Sequence, residues 1–174
     1  SGECTIKISE TEDTLVKNLK KDDIIMTQNG ETARIVCILK TFCSYNGEEN
    51  KAELVKFDNG LLITPWHPIQ YLKNVWDFPA NIKTPEIYEC EAVYSLILDR
   101  GHVAIVNNTP FITLGHGFTH NDVIKHDYFG TEMVINDLKK MPGWDDGLII
   151  LNSGCMRTND SGVVNKLVFN GIIV

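Results

Sequence analysis

Gly60-Leu-Leu-Ile-Thr-Pro-Trp-His-Pro-Ile-Gln70 is the stretch on which the reading of this chain turns. Leu61, Leu62 and Ile63 form the apolar end of a strand, and the two prolines that follow fix their own φ and bias the residues before them away from helix. Thr64 and His67 therefore stand three apart on a rigid bend. A hydroxyl and an imidazole held in this way can grip a peptide bond, the imidazole donating to its nitrogen. The plainer alternative is a turn whose His caps the end of a strand.

Working outward, the first hundred residues read as short strands separated by polar turns about every ten residues. Residues 5–8, 22–27, 32–42, 53–57, 61–64, 92–99, 102–106 and 111–114 carry the β signal. Asp58-Asn59-Gly60 is an Asx-Gly hairpin signal between two of them. Such spacing predicts a mainly β barrel or sandwich. Beyond Gly117 the pattern changes. Phe129, Met133, Val134, Leu138 and Met141 recur at three- and four-residue intervals, which predicts one amphipathic helix over about 127–141, ended by Pro142-Gly143. Residues 148–151 and 163–168 return to β character. The expected organisation is a β core over 1–116 and a small α/β appendage over 117–174.

Composition restricts the function classes. With 174 residues and 43% hydrophobic content, the chain can bury one sizeable core. A net charge of -7, with Lys20-Lys21 and Lys139-Lys140 as the only basic doublets, disfavours nucleic acid and anionic membrane as partners. No apolar run reaches the roughly eighteen residues of a membrane span, and Ser1-Gly2-Glu3-Cys4 is neither basic nor apolar. The expectation is a soluble monomeric domain without a signal peptide of its own, its compartment open. Five cysteines (Cys4, Cys37, Cys43, Cys90, Cys155) contain no CxxC pair, and their odd number argues against a closed disulfide framework. The five histidines are equally dispersed, so neither a metal nor a cofactor is expected.

In order along the chain stand TPWHPI, Trp76-Asp77-Phe78-Pro79, DRGHVAIVNN (Asp99 to Asn108), TLGHG (Thr113 to Gly117) and HDYFGTEMVINDLKKMPGW (His126 to Trp144). This set resembles the Vint branch of the hedgehog/intein (Hint) superfamily, in which a self-processing domain is joined to a von Willebrand factor type A domain. The resemblance implies a horseshoe-like all-β fold that cleaves the peptide bond before its own first residue. In such domains a Cys at the first position attacks the preceding carbonyl in an N-to-S acyl shift, and water, a thiol or an alcohol resolves the thioester. By that resemblance His67 protonates the scissile nitrogen and Thr64 hydrogen-bonds the bond being broken.

Departures from the pattern narrow this expectation. Hint domains open with Cys-Phe-x-Gly. Ser1-Gly2 fits as the third and fourth of those residues, which places the nucleophile and its Phe just upstream of Ser1. Cys4 is the less favoured nucleophile, and its bland reading is a small strand hydrophobe. Ile38-Leu39-Lys40-Thr41 lacks the acid that activates sterol in hedgehog-type domains. His116-Gly117 replaces the terminal His-Asn of inteins, and Gly cannot cyclise, so full splicing is not expected. Thr113 falls where hedgehog domains place a second Cys and His116 lies close by, and both join the candidate catalytic set. A strand Thr bonded to a neighbouring carbonyl is the plain alternative for Thr113.

By position, residues 117–174 correspond to the adduct-recognition region of hedgehog domains. Lys125, Lys139, Lys140, Arg157 and Lys166 are the candidate ligands for a polyanion there, with a lipid or other small molecule as alternatives and a packing lid as the bland reading. Three functions compete: single-turnover cleavage of the precursor chain in cis, a Hint-derived binding module without chemistry, and a cysteine hydrolase acting in trans through Cys4 and His67.

Overall fold

The strand Thr32–Phe42 runs through the middle of the molecule, and its sequence explains why. Ile35-Val36-Cys37-Ile38-Leu39 is an unbroken apolar run, which suits a strand covered on both faces. In the computed structural model, which describes residues 1–152, 155–157, 164–169 and 172–173, this strand pairs antiparallel with Ala92–Leu98 and parallel with Leu148–Leu151. Its first residues also pair antiparallel with Ile24–Met26.

A single bulge decides which side chains meet which core. Cys37 stands opposite Ile97, whereas Ile35 stands opposite Leu98, so Val36 is an extra residue on the long strand. Inserting one residue reverses the facing of everything beyond it. Ala33, Ile35 and Ile38, with Leu96 and Leu98, consequently enter one core, together with Ile6, Ile25, Leu61, Ile69 and Phe111. Cys37, Leu39 and Ile97 enter a second core, where they meet Leu114, Val134, Leu138, Ile149 and Leu167.

Around the first core lie two further sheets. One has six strands in the order Val75–Asp77, Ile69–Leu72, Thr109–Ile112, Val103–Val106, Thr5–Lys7 and Asp13–Leu15. The other carries Lys51–Lys56 between Glu86–Glu89 and Leu62–Ile63. The loops of two hairpins are locked together by asparagines. Asn59 donates through Nδ2 to the Asn107 carbonyl at 2.7 Å, and Asn107 returns a bond to the Asn59 carbonyl at 3.0 Å. Gly60, at φ +83°, closes the turn that presents Asn59. The architecture is mainly β, as expected, and is built from open sheets.

The helix is shorter than the predicted 127–141, occupying Glu132–Leu138. His126 Nδ1 accepts from the backbone N–H groups of Tyr128 and Phe129, which holds that segment in a turn. Thr131 then caps the helix by accepting from the Met133 N–H. Local side-chain bonds thus compete successfully with helix over the first five residues. Met133, expected on the apolar stripe, is 56% exposed. Parallel pairing of Leu148–Leu151 with the central strand puts the C-terminal region into the same sheet as residues 32–42. Among the described residues, no helix is long and apolar enough to cross a membrane.

Candidate functional site

The double-proline bend is anchored from three sides. Leu62–Ile63 pairs with Val55 and Lys56, and the buried Pro65 accepts at its carbonyl from the Ala80 N–H at 3.0 Å. Pro68 accepts from the Ile112 N–H at 3.4 Å. The bend closes on itself through the His67 N–H, which donates to the Thr64 carbonyl at 3.3 Å. Trp66 is mostly exposed and stands edge-on to Phe78 at 5.7 Å, while the His67 ring lies 5.2 Å from Phe111.

His67 is the centre of this arrangement. Its Nε2–H donates to the Ile112 carbonyl at 2.8 Å. A carbonyl can only accept, so this bond fixes the neutral tautomer and leaves Nδ1 unprotonated. Burial pushes the His67 pKa down to about 4, and the bond to Ile112 opposes that shift without cancelling it. Protein surrounds the ring closely although part of its surface stays open. The imidazole is thus an unprotonated base at neutral pH, and a strong acid once it has taken a proton. Thr64 is half-buried, and its hydroxyl has no protein partner among the described residues.

The N-terminal residues lie against the strand that leads into the bend. The Ser1 nitrogen donates to the Leu62 carbonyl at 2.8 Å. Cys4 is 2% exposed, its sulfur accepting from the Leu62 N–H at 3.3 Å and donating to the Leu62 carbonyl at 3.5 Å. Gly2 passes so close to Tyr94 that a Cβ there would stand 2.8 Å from the ring. Ser1, Gly2, Leu62, Cys90 and Tyr94 line a cavity of about 230 Å³. Ser1 and Cys4 thus bond to Leu62, which precedes Thr64 by two residues and His67 by five.

Thr113 and His116 belong to a different set of contacts. The Thr113 hydroxyl and N–H both meet the His102 carbonyl, at 3.1 and 3.0 Å. His116 is 7% exposed; its Nδ1 accepts from the Phe118 N–H at 2.9 Å, and its ring stacks on Phe118 at 5.2 Å. Burial, with the neighbouring His102 and His126, holds its pKa down to about 4. The glycines either side of His116 dock its loop onto the C-terminal region, Gly115 N–H to the Phe129 carbonyl and Gly117 N–H to the Gly130 carbonyl, each at 2.8 Å.

Among the candidate anion ligands, Lys125, Lys139, Lys140 and Lys166 are exposed, and Lys140 is paired with Asp137 at 2.9 Å. No bond or contact joins these lysines to one another among the described residues. The side chain of Arg157 lies outside them. Two features of the site carried no sequence signal. The Ile112 carbonyl that orients His67 is backbone, and the approach of Cys43 to Cys90, sulfur to sulfur 3.8 Å, joins residues 47 apart in the chain.

Open β-sheets carry the Thr-x-x-His bend, the N-terminal residues bond to the strand that leads into it, and the family match makes this a Hint-type autoprocessing domain. The sequence pattern of the Vint family, described as a Hint-domain, matches residues 1–166, and the chain belongs to that family. Domains of this kind act on the precursor chain that carries them. No curated protein matches the chain. Among solved structures, the Msm DnaB1 intein splicing domain bound with zinc aligns at 13% identity, covering 65% of this chain and 98% of that one with a TM-score of 0.44. The MchDnaB-1 intein aligns at 12% identity over 65% and 98% (TM-score 0.43). The Ssp DnaB mini-intein variant M86 aligns at 16% identity over 65% and 91% (TM-score 0.42).

Proposed function

We propose that this domain performs one intramolecular cleavage of the peptide bond on its N-terminal side, without splicing. The observation that carries the reading is the bond from the Ser1 nitrogen to the Leu62 carbonyl at 2.8 Å, two residues before Thr64. Two further residues upstream reach roughly 7 Å, about the length of strand from Leu62 to Thr64. A Cys-Phe pair in those positions brings its Cys within range of the bend. The close packing of Gly2 on Tyr94 suits the glycine of Cys-Phe-x-Gly.

In this reading His67 serves twice. Its bare Nδ1 takes the proton of the Cys thiol, and the thiolate attacks the preceding carbonyl carbon, forming the C–S bond. As the C–N bond breaks, the same proton passes from Nδ1 to the departing nitrogen, which becomes the free amine of the Cys. The acidity of the buried imidazolium favours that second transfer. Thr64 offers its hydroxyl to the bond being broken. Water, a thiol or an alcohol then takes the acyl group from sulfur and returns the thiol.

Thr113 and His116 are the second pair of candidate catalytic residues, the Thr113 hydroxyl donating to the His102 carbonyl and His116 Nδ1 accepting from the Phe118 N–H. Cys4 is a packing residue of the first core. Residues 117–174 shape the side from which an acceptor approaches, and the released segment includes the von Willebrand factor type A domain to which the Vint branch is joined.

The test is the chain extended upstream of Ser1 by a short segment ending in Cys-Phe, followed by mass with and without dithiothreitol. Thiol-accelerated loss of the segment, slowed by about 10²–10⁴ in His67→Ala, supports the acyl shift and the role of His67. An intact mass in both conditions sinks the cleavage reading and leaves the inactive binding module.

A further inference from the structure

We propose that Cys43 and Cys90 form a redox-active dithiol, which a low-molecular-weight disulfide oxidises to an internal Cys43–Cys90 disulfide. The two sulfurs lie 3.8 Å apart, the Cys43 thiol donating to the Cys90 sulfur. Their backbones are held in neighbouring positions by three bonds. The Cys43 N–H donates to the Glu91 carbonyl at 2.9 Å, the Asn50 N–H to the Cys43 carbonyl at 3.0 Å, and the Cys90 N–H to the Asn50 carbonyl at 2.7 Å. Disulfide formation requires the sulfurs to close by about 1.8 Å, a distance that side-chain rotation can supply between positions already neighbouring.

The two thiols have different parts. The bond from Cys43 lowers the pKa of Cys90 to about 7 against the effect of burial, whereas the shared proton and burial push the Cys43 thiol up. Cys90 also lines the cavity that Ser1 lines, and Cys43 is half-buried. A small disulfide RSSR entering that cavity meets the Cys90 thiolate, which bonds to one sulfur and expels RS⁻. The Cys43 thiol then attacks the Cys90 sulfur, expelling the second RS⁻, which takes the Cys43 proton and leaves as RSH. Two protein thiols are oxidised and one RSSR is reduced, with no other reagent consumed.

Cys37 and Cys4 provide the contrast. Burial raises the pKa of Cys37 to about 11, and Cys4 is buried against Leu62. The inference does not depend on the proposed cleavage. It does place a modifiable bond at Cys90, in the wall of the cavity that Ser1 also lines.

The experiment equilibrates the 174-residue chain in buffers of increasing oxidised-to-reduced glutathione ratio, quenches by alkylation and maps peptides without reduction. The expected result is one linked peptide pair, Cys43 with Cys90, formed with loss of two hydrogens, and a raised denaturation midpoint for the oxidised chain. In Cys43→Ser, glutathione should accumulate as a mixed disulfide on Cys90 at pH 7 at least tenfold faster than on Cys37. Absence of the linked pair from the most oxidising buffer overturns the proposal, as does linkage spread over other cysteines. Because the primary readout uses the unaltered sequence, poor folding of a variant does not cost the test.

Discussion

A histidine kept neutral by burial makes stability depend on pH, and burial lowers the pKa of three here, His67, His102 and His116. His67 and His116 are each held at about 4, against about 6.5 for a free imidazole, with burial as the leading cause in both. The unfolded chain takes up these protons near pH 6.5 and the folded chain only near pH 4. Between those values the unfolded state binds more protons, so stability falls as pH is lowered. The stabilisation is fully present above about pH 6.5 and gone below about pH 4. For the more buried His116 it amounts to about 1–3 kcal/mol, and for the partly open His67 to less. Urea unfolding followed at intervals from pH 7.5 to 4 should show this decline. His116→Gln should flatten the curve, and a profile unchanged by that substitution would show that the acid sensitivity lies elsewhere. On the proposed cleavage, the same shift at His67 has a catalytic consequence. A cleavage rate measured on the extended chain should fall as pH drops toward 4, because the protonated ring cannot accept the thiol proton, and His67→Ala should cost about 10²–10⁴ in rate at neutral pH.

At the level of elements, the bulge at Val36 is the feature most sensitive to change. Without it, Ile35 and Ala33 would turn away from the first core, and every later contact of the opposite strand would shift face. Deleting Val36 should abolish cooperative unfolding, whereas Val36→Ala, which keeps the extra residue, should retain it. Near-ultraviolet circular dichroism with thermal melts separates the two. A second sensitive point is Gly143 at φ +90°, where a Cβ would stand 2.0 Å from the Leu148 carbonyl oxygen. Gly143→Ala should lower stability by about 3 kcal/mol or more, combining strain and displaced backbone. These elements also mark the limits of what the sequence could reveal. The Thr32–Phe42 strand, the Asn59-Gly60 turn and the Thr64–His67 bend were legible because apolar runs, Asx-Gly pairs and prolines act locally. The bulge was not, since an apolar run buried on both faces has no alternation to interrupt. Residues 127–131 kept helical spacing yet turned, because His126 and Thr131 captured the backbone groups that a helix would use. The partner of His67 and the Cys43–Cys90 approach were hidden for another reason: both are products of strand pairing over long separations.

For the whole molecule, the question is whether residues 117–174 form a body that can be removed. The expected boundary near residue 117 follows a change in sequence pattern, but the cores do not divide there. Cys37, Leu39, Ile97 and Leu114 from before the boundary pack with Val134, Leu138, Ile149 and Leu151 from after it, and Leu148–Leu151 bonds directly to the central strand. Cutting the chain after Gly117 would bare one apolar face of that strand and leave an unpaired edge, both of which favour aggregation. The 1–117 fragment should therefore fail to give a soluble, cooperatively unfolding domain. Leu138, fully buried in the shared core, provides the milder test within the intact chain. Leu138→Ala should destabilise by about 2–5 kcal/mol, and all spectroscopic probes should move together, including the fluorescence of Trp76 on one side of the boundary and Trp144 on the other. Such coupling would make the C-terminal region a condition for His67 to be held in place, and not only a surface awaiting an acceptor. Separate transitions for Trp76 and Trp144, each followed with the other two of the chain's three tryptophans replaced by Phe, would instead establish two bodies and return the C-terminal region to the role of an independent recognition module.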